Sequence, residues 1–145
     1  MKNHMTYEII SKRKRKTLKI NHPDVLYQFL KRYTKSRQEH FFVITLNSLC
    51  EVIGIHISTI GFVNKTIIHP REVFIHAITD NATSIIVAHN HTTNDYNPSD
   101  KDIDITKRIN DAGVLLGINV IDHLIIYKRG YFSFKRETDI LQYIT

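Results

Sequence analysis

The sequence predicts an α/β fold in which one mixed β-sheet is sandwiched by helices, and three observations carry that expectation. Short β-branched and aromatic runs alternate along the chain with segments whose apolar residues recur at helical spacing. Two pairs of those runs are joined by turn-forming residues, Asn47-Ser48 and Arg129-Gly130, so some strand pairs should be antiparallel. A length of 145 residues, with 42% hydrophobic and 23% charged side chains, suits one globular domain with one core.

The elements follow in order. Asn21 and His22 precede Pro23 and Asp24, which makes a helix start with proline and an acid in the first turn. Val25, Leu26, Phe29, Leu30 and Tyr33 then continue an amphipathic helix over about residues 23 to 33. Residues 41 to 46 and 52 to 60 read as neighbouring strands. A second helix is expected from Pro70 to about Thr79, followed by a buried strand from Ser84 that ends at His89. Pro98 and Ser99, followed by Asp102, form the S-x-x-D pattern of a capped helix start, and Gly113 is the expected end of that helix. Residues 118 to 127 form a long apolar strand, with which 131 to 134 can pair as a hairpin.

Composition narrows the function. Cys50 is the only cysteine, which rules out an intramolecular disulfide or a cysteine-based zinc cluster and points to a reducing, cytoplasmic setting. The opening residues MKNHMTYEII hold no apolar run of signal-peptide length, and no run is long enough for a membrane span, so no membrane partner is expected. The net charge is +6, a balance that favours polyanions such as nucleic acid. The run from Lys12 to Lys16 supplies most of that excess. Such runs are usually solvated, and this one lacks the interleaved aromatics of a single-strand binding platform.

One constellation carries chemistry. A catalytic zinc typically takes three protein ligands from His, Asp or Glu and keeps a further position for water. His89 and His91 are two apart, so on extended backbone both imidazoles point to one side while Asn90 points away. Ten residues lie between His91 and Asp102, enough for a loop through Tyr96 and Pro98 to return Asp102, in the first turn of a helix, to the same place. In a chain with nine histidines such a pair also arises as two ordinary surface side chains. Its place at the end of an apolar strand favours the metal reading, because active-site groups of α/β proteins cluster at strand ends.

The arrangement of His89, Asn90 and His91 with Ser99 and Asp102 has the form H-x-H-x7-S-x2-D, which resembles the signature of the JAMM (MPN+) metalloproteases. More closely, the chain resembles their RadC-like branch. The further matches are Glu39-His40-Phe41, Leu46-Asn47, Pro70-Arg71-Glu72, Asn81-Ala82, Thr106-Lys107 and Asp122-His123-Leu124-Ile125-Ile126, spanning about residues 36 to 136.

That resemblance implies a three-layer, cytidine-deaminase-like architecture, zinc held by His89, His91 and Asp102, and hydrolysis of an amide or isopeptide bond in a peptide substrate. It also implies that Glu39 is the base acting on a zinc-bound water and that Ser99 helps to stabilise the oxyanion. From the residues alone Glu39 is a solvated acid beside Arg37 and His40, with Glu51, Glu72 and Glu137 as competing acids, and Ser99 is an N-cap. Relatives usually follow the second histidine with Pro-Ser-Gly, where this chain has Thr92, Thr93 and Asn94. They also tend to carry a helix-hairpin-helix region first. The expected organisation here is a short, stand-alone form, with a basic segment over residues 1–22 and the RadC-like domain over 23–145. Two further readings stay open: a DNA-repair-associated factor that binds nucleic acid through Lys12 to Lys16, and a non-catalytic interaction domain.

Overall fold

The computed structural model describes residues 17–61, 68–93 and 95–141. The basic run Lys12–Lys16 and Asn94 of the substituted loop lie outside the described residues.

Helix α1 (Pro23–Leu30) starts where the sequence predicts, with His22 as N-cap accepting a hydrogen bond from the Asp24 amide and Pro23 in the first turn. The predicted extension to residue 33 is corrected. The α-helix stops at Leu30 and the chain tightens into a 3-10 helix at Lys31–Lys35. There the Thr34 hydroxyl donates to the Lys31 carbonyl at 2.7 Å, three residues back.

Strands β1 (Glu39–Leu46) and β2 (Val52–Gly61) pair antiparallel. The Asn47 side-chain oxygen accepts the amides of Leu49 and Glu51 across their turn, and Cys50 adopts a positive φ of 58°. Then come α2 (Pro70–Thr79), β3 (Ser84–Asn90), α3 (Asp100–Leu116), β4 (Asn119–Tyr127), β5 (Gly130–Ser133) and the short α4 (Phe134–Glu137). Among the described residues five strands lie in the order β2-β1-β3-β4-β5, and of these only β3 and β4 pair in parallel. A parallel pair needs a crossover, and α3 supplies it.

The alternating faces of the sheet sort the core into two halves. On one side Phe42, Ile44 and Leu46 of β1 and Ile86 and Ala88 of β3 pack with Leu26 and Leu30 of α1. On the other, Phe41 and Val43 of β1 and Ile85 and Val87 of β3 pack with Val73, Phe74 and Ala77 of α2 and Ile109 of α3. The layers are therefore helix, sheet and helix pair, as predicted. Among the described residues no helix is long and apolar enough to cross a membrane.

The predicted helix end at Gly113 is also corrected. Helix α3 runs on to Leu116, and Gly117 takes the left-handed C-cap at φ 71°. Gly113 serves close packing instead: a Cβ there would lie 2.5 Å from the Ile118 carbonyl oxygen and 3.0 Å from Val120 Cγ2. Because the nearest obstacle is backbone, it cannot rotate away. Gly113→Ala should therefore destabilise the fold by about 1–3 kcal/mol, read as a lowered midpoint in urea unfolding. An unchanged midpoint would show that α3 and β4 can separate at no cost.

Candidate metal centre

The site forms because β3 and α3 meet. Strand β3 is buried along its whole length and carries His89 on the face covered by α2 and α3. Asn90 turns to the opposite face, and His91 follows just beyond the strand, held by its amide to the Ile126 carbonyl at 2.9 Å. Helix α3 runs back from the end of β3 toward the start of β4, so its first turn lies beside these histidines.

That first turn is closed by a reciprocal capping box. The Ser99 hydroxyl accepts the Asp102 amide at 3.1 Å, and Asp102 Oδ2 accepts the Ser99 amide at 2.8 Å. The capping role predicted for Ser99 is present. The same box aims the Asp102 carboxylate, placing Oδ1 3.2 Å from His89 Nε2 and Oδ2 3.3 Å from His91 Nε2. Burial alone would raise the pKa of Asp102. The imidazoles of His89 and His91 and the Ser99 amide outweigh burial, and hold the carboxyl well below the usual carboxylate range.

His91 is set by a second contact, its Nδ1 lying 2.7 Å from the Asp95 carbonyl oxygen. A carbonyl only accepts, so Nδ1 carries the proton in that bond and Nε2 faces Asp102. Burial lowers the pKa of His91, but Asp102 and the Asp95 carbonyl more than offset this and the net shift is upward.

His89, His91 and Asp102 each offer one ligand atom, and these atoms lie within 4.8 Å of one another, so the group could hold a metal ion. A test of fit is whether the donors already satisfy each other. They do not: His89 Nε2 and Asp102 Oδ1 are buried and neither has a hydrogen-bond partner, although they are 3.2 Å apart. Leaving two such atoms unpaired is costly. Two nitrogen donors and one charged oxygen are also a ligand set that zinc accepts. The residues present fit a cation.

Behind the group, His89 Nδ1 lies 2.8 Å from His123 Nε2, and His123 Nδ1 lies 2.6 Å from the Thr106 hydroxyl. Phe41 stacks on His89, and Phe134 stacks on His123 with ring centroids 4.9 Å apart. Burial pushes the His123 imidazolium well below its ordinary pKa, with His89 adding to the shift. The sequence singles out the segments holding Thr106 and His123 without assigning either residue a task. The only local signal was a histidine and a threonine within otherwise apolar or helical patterns.

Glu39 opens β1 and is buried. In the β1–β3 register Phe41 opposes His89, so Glu39 lies two residues further along toward His91. Its negative charge is close enough to contribute to the raised His91 pKa. Asn90 holds the approach to that strand. Its side-chain oxygen accepts the His40 amide at 2.6 Å, and its nitrogen donates to the carbonyls of Tyr33 and Gln38. Among the competing acids, Glu51 sits beyond the far end of β1, paired as a bridge with Lys19. Glu72 is in the first turn of α2, and Glu137 is in α4.

Comparison with known proteins agrees with this arrangement. The family model for the RadC-like JAB domain matches residues 20–140. Among curated relatives, a UPF0758 protein of Clostridium novyi is 46% identical over 101 residues, covering 70% of this chain and 44% of that protein. A UPF0758 protein of Alkaliphilus metalliredigens is 43% identical over 137 residues, covering 89% of this chain and 58% of its own length. One from Methanospirillum hungatei is 50% identical over 91 residues, covering 63% of this chain and 40% of the relative. The chain thus spans about half the length of the curated relatives it matches. With the buried His89, His91 and Asp102 on the matched segment, the chain belongs to the RadC-like JAB domain family.

Proposed function

We propose that this domain is a zinc-dependent hydrolase of the JAMM type that cleaves an amide or isopeptide bond. The observation that carries this reading is the pair of unpartnered buried atoms, His89 Nε2 and Asp102 Oδ1, within a His-His-Asp group. Bound at this group, zinc would act as a Lewis acid and lower the pKa of a coordinated water.

The chain's own residues supply the rest of the chemistry. The carboxylate of Asp102 stays ionised because the neighbouring imidazoles and the Ser99 amide favour its charged form. Glu39 takes a proton from the attacking water at a carboxylate oxygen and later delivers it to the departing amine nitrogen. Its burial at the start of β1 keeps that carboxylate out of bulk solvent. The Ser99 hydroxyl accepts the Asp102 amide through oxygen, so its own proton is free to donate toward negative charge developing on the scissile carbonyl oxygen. Phe41 and Phe134 line the rear of the group and exclude water there.

The nucleic-acid reading rests on Lys12 to Lys16, outside the described residues, whereas the observation favouring hydrolysis lies within the folded domain. An extended polypeptide is the substrate class that fits amide chemistry, and the cytoplasm is the compartment that fits a single free cysteine.

Metal analysis and a peptide and isopeptide hydrolysis screen test the reading together. Wild type should carry one zinc per chain, and His89→Ala should lose it. Glu39→Gln should keep zinc while hydrolysis falls by about 10²- to 10⁴-fold. A wild-type protein without stoichiometric zinc, or a Glu39→Gln variant with full activity, contradicts the proposal.

Zinc uptake should also depend on pH in a definite direction. The raised pKa of His91 means that a proton occupies the metal-free site until the pH exceeds that value. Binding must displace it. Apparent affinity should rise with pH, by up to about tenfold per unit for one competing proton, and level off above the raised pKa. Calorimetry in buffers of different ionisation enthalpy should show proton release that shrinks as the pH rises. Affinity that does not change with pH rules out His91 as a ligand.

A further inference from the structure

Behind the His-His-Asp group a chain of hydrogen bonds joins two of its members from the rear. It starts at the Asp102 backbone carbonyl, 2.6 Å from the Thr106 hydroxyl. It continues from that hydroxyl to His123 Nδ1 at 2.6 Å and from His123 Nε2 to His89 Nδ1 at 2.8 Å. All four residues are buried, with Thr106 and His123 wholly inaccessible.

His123 is wholly buried and bonds to a hydroxyl and an imidazole rather than a carboxylate, so its ring is neutral, and then a single direction of donation satisfies every link. A carbonyl oxygen has no proton to give, so at 2.6 Å the Thr106 hydroxyl must donate to Asp102. Its single proton is then used, and toward His123 the same oxygen accepts, which places a proton on His123 Nδ1. His123 therefore presents a lone pair at Nε2, and His89 must donate to it from Nδ1. The remaining ring nitrogen of His89 is Nε2, the atom that points at Asp102 and lacks a partner. With the opposite direction, two oxygens would face each other at 2.6 Å with no proton between them.

Resting on the metal-centre reading above, we propose that Thr106 and His123 are positioning residues that hold His89 with Nδ1 protonated and Nε2 turned toward the cation. The device also sets register. Thr106 lies one helical turn after Asp102 on α3, His123 lies on β4 and His89 on β3, so one chain of bonds ties the helix-borne ligand to a strand-borne one. Phe41 and Phe134 keep the two rings from rotating, since Phe41 stacks on His89 and Phe134 on His123. Ligand histidines commonly donate their second nitrogen to a carboxylate or carbonyl. Here a neutral imidazole takes that place, and it can accept only because a threonine fixes its tautomer.

The test combines tautomer assignment with metal affinity, using the full chain. Long-range proton–nitrogen NMR on zinc-free wild type should show His123 protonated at Nδ1 alone and His89 protonated at Nδ1. A proton on His123 Nε2 overturns the proposal whether or not zinc is bound. Thr106→Val removes the hydroxyl at nearly constant volume and should weaken zinc binding by about 10- to 100-fold, whereas Thr106→Ser should restore it. Thermal unfolding of the zinc-free proteins identifies any variant that has lost its fold. A folded Thr106→Val protein with wild-type affinity sinks the idea. A wild-type protein that shows the expected tautomers but takes up no zinc instead sinks the metal reading and leaves the hydrogen-bond chain standing.

Discussion

The parallel pairing of β3 with β4 is the constraint on which the rest of the structure depends. Two parallel neighbours cannot be joined by a tight turn, so the chain leaves the end of β3, crosses back along α3 and re-enters the sheet at Asn119. This path brings the start of a helix to the end of a strand. Asp102 and the histidine pair are neighbours for that reason, although eleven positions separate His91 from Asp102. The close approach of α3 to β4 at Gly113 and the reciprocal cap at Ser99 fix the helix at both ends.

Burying an ionised carboxylate and several imidazoles in one place is expensive unless each is paired. The fold meets that cost with specific partners. Asp102 gains the Ser99 amide and the His91 imidazole, His91 the Asp95 carbonyl, and His123 the Thr106 hydroxyl. The apolar side chains around them, among them Phe41, Val87, Ile109 and Phe134, contribute about 1.5–3 kcal/mol each on burial. Within this group His89 Nε2 and Asp102 Oδ1 keep no hydrogen-bond partner, which leaves the three residues able to hold a cation.

How much of this was legible in the sequence depends on the range of the contacts. His89 and His91 at the end of an apolar strand, and Ser99 with Asp102 at a helix start, are local patterns, and the structure places all four together. Helix starts at Pro23 and Pro70 were equally local. The end of α3 was not, because Gly113 and Gly117 are both glycines and only the packing of Ile118 and Val120 distinguishes their tasks. Thr106 and His123 lie 17 residues apart, and His89 and His123 lie 34 apart. Asn90 bonds to residues 50 and more positions away. No periodicity or spacing rule reaches that far. The family resemblance singled out His89, His91, Asp102 and Glu39, whereas the bonds behind His89 join residues far apart in the chain.

Cys50 lies in the turn between β1 and β2, beyond the end of β1 opposite Glu39, so a thiolate plays no part in the proposed centre. Zinc-edge X-ray absorption of the purified protein tests the central claim most directly. It should show a first shell of light atoms only, with two imidazoles at about 2.0–2.1 Å and a carboxylate oxygen at about 2.0–2.2 Å. A sulfur neighbour at about 2.3 Å, or a shell with fewer than two imidazoles, would contradict a centre made of His89, His91 and Asp102.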